Sequence, residues 1–203
     1  MKNIIVSSVI LIFAFAGAVH AAGDAEAGKT KAAACGGCHG PDGNSPVPTF
    51  PKLAGQGQKY IVKQVMDFKA NTSRKNEIML GMAAALSEQD AEDIGAYYSS
   101  QKLAGPAPAD ESKIAMGKQI YKGGNLTEGI PACQACHGPR GAGVAGSGYP
   151  QIGGQYVEYT LPQLKAFRDG TRTNDEKALM RSIVKDMSDE QLAAVANYIA
   201  TLH

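Results

Sequence analysis

All four cysteines of the chain lie in two short stretches, CGGCH at 35–39 and CQACH at 133–137. In each, two thiols stand three positions apart and a histidine follows the second. On a helical turn, positions i, i+3 and i+4 share a face. Cys35, Cys38 and His39 therefore point at one object, as do Cys133, Cys136 and His137. Two thiols at that spacing add to the two vinyl groups of one haem, and the neighbouring imidazole reaches its iron. This is the c-type haem attachment signal, and its two copies call for two covalently attached haem c groups.

Three other uses of paired cysteines compete. A thioredoxin-like pair needs a strand before it and a parallel sheet around it, and the chain has no strand-forming runs. Zinc sites of the CxxC…CxxC type place their pairs about 15–20 residues apart, against 98 here. Disulfides across two intervening residues are compatible with an oxidising compartment but close tiny loops that stabilise little.

The other axial position decides between electron transfer and chemistry at an open iron: a methionine there saturates the metal and raises its potential. The candidates are Met66, Met79 and Met82 in the first half, and Met116, Met180 and Met187 in the second. Met79 and Met180 both stand seven positions before the residue that precedes a helix-capping serine, and only this pair is equivalent. Met82 aligns with Ile183 and Met187 with Leu86, which marks both as packing residues. Met66 falls at helical spacing with Ile61, Val62 and Val65, and Met116 sits on a helix before its motif; packing is the expectation for both.

These residues must be positioned by a unit that occurs twice. FPKLAGQGQKY (50–60) reappears as YPQIGGQYVEY (149–159), KQVMDFKANTSRKN (63–76) as PQLKAFRDGTRTN with one gap, and LSEQDAEDIGAYYSSQ (86–101) as MSDEQLAAVANYIATL (187–202). Each unit reads as short helix, CxxCH, Gly/Pro-rich loop, helix, methionine-bearing loop and closing helix. Ser87 with Asp90, and Ser188 with Gln191, have capping-box spacing at the closing helices. Pro162 disturbs the helix expected over 155–168, which either starts late or kinks there. KLAGPAPADES (102–112) has linker composition. With no tryptophan and five phenylalanines, units this small need another apolar mass in their cores, and haem supplies it.

The first 21 residues have one lysine, an apolar run over 4–19 and small residues Val19 and Ala21, the pattern of a cleaved secretory leader. The domains expected are therefore 1–21 leader, 22–103 first haem unit, and 104–203 linker with second haem unit. Loss of Lys2 leaves 19 basic against 19 acidic residues, and no basic stripe suits nucleic acid. The expected location is the periplasm.

The stretches AGDAEAGK, CGGCHGPDGNSPVPTFPKLAGQGQKY, PACQACHGPRGAG and NYIATLH resemble the cytochrome c4 family over essentially the whole chain after the leader. The resemblance implies an all-α protein of two tandem class I cytochrome c domains related by a pseudo-twofold axis. Each would enclose one haem with His/Met iron, the ligands being His39 with Met79 and His137 with Met180. It implies a monomeric electron carrier between a quinol-oxidising complex and a terminal oxidase, loosely associated with the membrane surface. Pro162 departs from that pattern without touching a ligand. By likeness to class I cytochromes, the carbonyls of Pro51 and Pro150 are nominated to accept from the two histidines, against simple turn formation. Arg74 and Arg172, equivalent in the repeat, are nominated to meet haem propionates, against solvation. Tyr97, Tyr98 and Tyr198 are candidates to line the domain interface, against packing within each unit.

No acid, base or nucleophile constellation appears, and after the leader the only histidine outside the motifs is His203. Electron transfer is the leading function. A dihaem peroxidase-like enzyme needs a spare histidine or a displaceable ligand, and a gas sensor needs a labile methionine. An electron-accepting subunit of a dehydrogenase shares the same sequence pattern.

Overall fold

The side chain of Asp24 accepts from the backbone N–H groups of Glu26 and Ala27, and this cap opens helix α1 (Ala25–Lys31). The computed structural model describes residues 23–144 and 146–203; the leader expected at 1–21 lies outside the described residues. From α1 the chain passes through a 3₁₀ turn into α2 (Gly36–His39), the turn of the first motif. After the Gly/Pro-rich loop comes α3 (Gln58–Ala70), which stops at Asn71 in the left-handed conformation. Next are α4 (Glu77–Ala83) and the closing helix α5 (Glu88–Ser100). The order repeats as α6 (Glu111–Gly123), α7 (Gln134–His137), α8 (Val157–Arg168), α9 (Leu179–Val184) and α10 (Asp189–Thr201). Among the described residues the only β pairings are isolated bridges, Asn125 with Ile130 and Val144 with Tyr149.

Both closing helices begin at reciprocal capping boxes, Ser87 with Asp90 and Ser188 with Gln191. In each domain the first helix crosses the closing one at a glycine. A Cβ on Gly28 would stand 1.9 Å from the carbonyl oxygen of Asp93, and one on Gly117 2.0 Å from that of Ala194. Only backbone without a side chain allows so close an approach. These helix pairs, with α3 and α8 laid across them, build the two cores.

Three details differ from the sequence pattern. The methionine-bearing segments are short helices rather than loops: Asn76 caps α4 by accepting from the N–H of Met79 at 2.9 Å, so Met79 is the third residue of a helical turn. Pro162 neither delays nor ends α8; it is exposed in the second turn, and the carbonyl it leaves without a helical partner belongs to exposed Glu158. Met116 is 38% exposed on the outer face of α6 and is not a packing residue.

The linker is strapped to both domains. Ala104 N–H donates to Asn44 Oδ1 at 2.8 Å, Ala107 N–H to the Ala200 carbonyl at 2.8 Å, and Lys52 Nζ to the Gly105 carbonyl at 3.1 Å. The domains themselves meet through contacts several of which come in exchange-related pairs. Gln56 brackets Gln151 as Gln155 brackets Lys52, and Arg74 reaches Tyr159 as Arg172 reaches Tyr60. Because Lys52 and Gln151, Gln56 and Gln155, and Tyr60 and Tyr159 are repeat equivalents, this pairing is a pseudo-twofold relation. Tyr97, Tyr98 and Tyr198, candidates for that interface, instead lie in their own domains' cores.

Candidate haem sites

The α2 and α7 turns place each motif as its spacing requires. His39 and His137 donate their N–H groups to the carbonyls of Cys35 and Cys133, both at 3.0 Å, which closes a helical turn over each cysteine pair. The imidazoles are buried, 7% and 8% exposed. His39 Nδ1 lies 2.9 Å from the Pro51 carbonyl oxygen and His137 Nδ1 3.0 Å from that of Pro150. A carbonyl can only accept, so Nδ1 carries the proton and Nε2 keeps its lone pair for a metal. Burial holds both imidazoles below the ordinary histidine range, and so neutral.

In the N-terminal domain a cavity of about 440 Å³ brings together Cys35, Cys38, His39 and Met79, walled by Phe50, Phe68, Ile78 and Met82. A smaller recess behind it runs between Cys35, His39, Met79 and Tyr98. The motif cysteines, a tautomer-fixed imidazole, a thioether and an apolar wall are the donor set and surroundings that a haem c requires, so the residues fit the group. In the C-terminal domain Cys133 and Met180 both pack, partly buried, on the core that includes Met187 and Leu192. Met187 itself is buried packing and Met66 packs on the first core, but Met82, also expected to pack, is 39% exposed and lines the cavity instead.

None of the four cysteines is paired with another in a disulfide. Burial pushes the Cys35 thiol up and that of Cys133 up to about 11. An oxidoreductase pair needs the opposite shift, toward a reactive thiolate.

The arginines occupy an unusual place. Both are buried, and both line the N-terminal cavity at the domain interface, together with Tyr159 and Gln163. Arg74 bonds Gln64 Oε1 and, at 2.7 Å, Tyr159 Oη. Arg172 bonds Asn174, Gln163, Tyr60 and Gln64 at 2.9–3.2 Å. Each guanidinium stacks 4.3 Å from a phenylalanine ring, Phe68 or Phe167. Every hydrogen bond they make among the described residues goes to an amide or phenol oxygen. Two buried cations held only by neutral acceptors suit a site that takes up an anion. Tyr60, Gln64 and Tyr159 were not singled out in the sequence reading. Their signal was there: with Gln163 they are identical polar residues kept at equivalent places in two otherwise diverged copies.

Fold and motifs together define a c-type cytochrome of two tandem domains. The family model for cytochrome c matches residues 25–102 and 114–203. Cytochrome c4 of Pseudomonas aeruginosa is 48% identical over 202 residues, covering 99% of this chain and all of its own. The crystal structure of reduced recombinant cytochrome c4 from Pseudomonas stutzeri superposes with a TM-score of 0.86 at 48% identity, covering 90% of this chain and all of that one. A thiosulfate dehydrogenase electron acceptor of Thiomonas intermedia is 37% identical, covering 98% of this chain and 94% of its own. The chain belongs to the cytochrome c4 family: a dihaem electron carrier, not an enzyme.

Proposed function

We propose that the protein carries electrons in the periplasm between a quinol-oxidising complex and a terminal oxidase, as a monomer loosely associated with the membrane surface. Cys35, Cys38, Cys133 and Cys136 form the thioether attachments within domains 22–103 and 104–203. His39 with Met79 and His137 with Met180 close the two irons. A bound haem supplies a one-electron ferric–ferrous couple; the protein's part is to hold it, saturate it and shield it from water. The Pro51 and Pro150 carbonyls fix the histidine rings. Arg74 and Arg172 neutralise propionates by charge-assisted hydrogen bonds. The observation that carries this reading is Met79 facing the same cavity as Cys35, Cys38 and His39.

The test is an optical redox titration of the protein matured with haem, followed in the near-infrared sulfur-to-iron band. Two high-potential one-electron steps are expected. Met79→Ala and Met180→Ala should each remove about half of that band and lower one step. A variant that leaves the band intact would show that its methionine is not a ligand. A second reading, an electron-accepting subunit docked to a dehydrogenase, is favoured by the Thiomonas intermedia relative. Co-purification as a tight complex with a dehydrogenase would favour it over a free shuttle.

A further inference from the structure

The bonds that join the domains are aimed at peptide groups next to the motif histidines. The carbonyl of Pro51 and the N–H of Lys52 belong to one peptide unit. That carbonyl accepts from His39 Nδ1 at 2.9 Å, and that N–H donates to Gln155 Oε1, from the other domain, at 3.0 Å. The second site is built the same way in reverse. The Pro150 carbonyl accepts from His137 Nδ1 at 3.0 Å, and the Gln151 N–H of the same peptide donates to Gln56 Oε1, from the first domain, at 2.9 Å.

Neither glutamine is free to turn. Gln155 Nε2 donates to the Lys52 carbonyl at 3.0 Å and Gln56 Nε2 to the Gln151 carbonyl at 2.8 Å. Each Oε1 also accepts from the next residue's own N–H, at 3.1 Å from Tyr156 and 3.0 Å from Gly57. Both side chains are buried, 8% and 6% exposed, so water does not compete for the peptide.

We propose that each domain tunes the other's axial histidine through this two-bond relay, with Gln155 the positioning residue for His39 and Gln56 for His137. The inference rests on the reading of those histidines as iron ligands. A peptide whose N–H is engaged carries more negative charge on its oxygen, and hydrogen bonds in series strengthen one another. The Pro51 and Pro150 carbonyls then draw harder on the Nδ1 protons, which makes Nε2 a more basic donor and favours the ferric state. Docking of the domains is thus a lever on both potentials, and it acts crosswise.

The crosswise sign makes the test specific. Gln155→Met and Gln56→Met, near-isosteric and without either hydrogen bond, are titrated in the haem-loaded full chain, each step being assigned by the methionine methyl resonances of the reduced protein. Gln155→Met should raise the N-terminal step and leave the C-terminal one unmoved; Gln56→Met should do the reverse. No shift, a shift in the substituted domain, or equal shifts of both steps would overturn the relay. Tyr156→Phe is the control, since it removes another interdomain bond, Tyr156 Oη to the Ser45 carbonyl at 2.7 Å, outside the relay. If it reproduces the Gln155→Met pattern, loosened docking is the cause and the proposal fails. Should a variant not mature, amide exchange on the unaltered protein decides: the Lys52 and Gln151 N–H groups must be strongly protected, and rapid exchange at either refutes the relay. Failure of the ligand reading looks different, because the unaltered protein would then lack two low-spin, imidazole-ligated spectra.

Discussion

Where the first helix meets the closing helix, the two domains fill the same space with exchanged side chains. Counting from the crossing glycines Gly28 and Gly117, Ala32 in the N-terminal domain corresponds to Tyr121 in the C-terminal one. Counting from the capping serines Ser87 and Ser188, Tyr98 corresponds to Ile199. These two positions hold a small residue and a tyrosine in one core, and a tyrosine and an isoleucine in the other. Each core also holds a tyrosine pair, Tyr97 with Tyr98 at 5.3 Å and Tyr121 with Tyr198 at 5.4 Å between ring centroids. One pair comes from a single helix and the other from two. The backbone approach and the motif turns are held in common, while the side chains between them exchange size from helix to helix, as close-packed interiors permit when total volume is kept.

If that ordering is right, the crossing glycines should be the most sensitive positions. Gly28→Ala and Gly117→Ala each drive a methyl group into a carbonyl oxygen at about half of ordinary contact distance, which costs at least about 3 kcal/mol when neither helix can retreat. Thermal unfolding followed at each haem should show the substituted domain melting first. A loss below about 1 kcal/mol in either domain would mean that the crossing is not the shared constraint.

The tyrosines separate the domains at smaller energy. Tyr121 Oη donates to the Gly138 carbonyl at 2.6 Å, just past the second motif. In the first domain the comparable bond comes from Tyr97, to Pro41 at 2.8 Å, while the buried Tyr98 hydroxyl has no partner among the described residues. Tyr121→Phe should therefore cost about 0.5–1.5 kcal/mol, because it removes one of two bonds to a carbonyl that keeps the Gly141 N–H at 3.1 Å, and Tyr98→Phe should be neutral or slightly stabilising. Equal losses at the two positions in denaturant titrations would show that the Tyr98 hydroxyl bonds within the haem-loaded cavity.

The motifs and the closing helices were legible because their signals are local. A cysteine pair, its histidine and a capping serine each lie within a few residues of what they organise. Met79 and Met180 were set apart from the other methionines by comparing the two copies, although the short helices that carry them were not read: α9 opens at Ala178, which has no capping side chain. In the second copy the approach is longer and passes Lys177 and Ala178, both non-glycine residues at positive φ (52° and 57°), a conformation that leaves no periodicity to read. The interface was missed because it depends on how two rigid units dock. Aromatic residues on the closing helices looked suitable for it, but Tyr97, Tyr98 and Tyr198 are needed inside. The seam falls instead to Tyr60, Tyr156 and Tyr159 with the glutamines. Pro162 reads as a helix breaker, but its place on the solvent face made it tolerable.

The smallest expected effect concerns acid. The N–H of the first cap residue must be satisfied in both domains: Asp24 N–H donates to Asp93 Oδ1 at 2.9 Å, and Asp110 N–H to Asn197 Oδ1 at 2.7 Å. One acceptor is charged and the other neutral. Lys31 Nζ, 2.6 Å from Asp93, with help from Asp24 N–H and Gln89, holds the Asp93 carboxyl below its ordinary value of 3.8. In the C-terminal domain the position of Lys31 is taken by Ile120. A carboxyl whose pKa is depressed on folding contributes stability that is complete above its unfolded pKa and is lost as pH falls through the folded one. The Asp93 link should therefore hold at neutral pH and fail below about pH 3.8, whereas the Asn197 link should not respond. Asp93→Asn gives the measurement. The melting difference between this variant and the unaltered protein, read at the N-terminal haem, should be present at pH 7 and shrink progressively as the pH falls below the ordinary carboxyl value of 3.8. If the difference persists at low pH, the Asp93 link depends on its shape rather than its charge, and the two domains solve the cap in the same way.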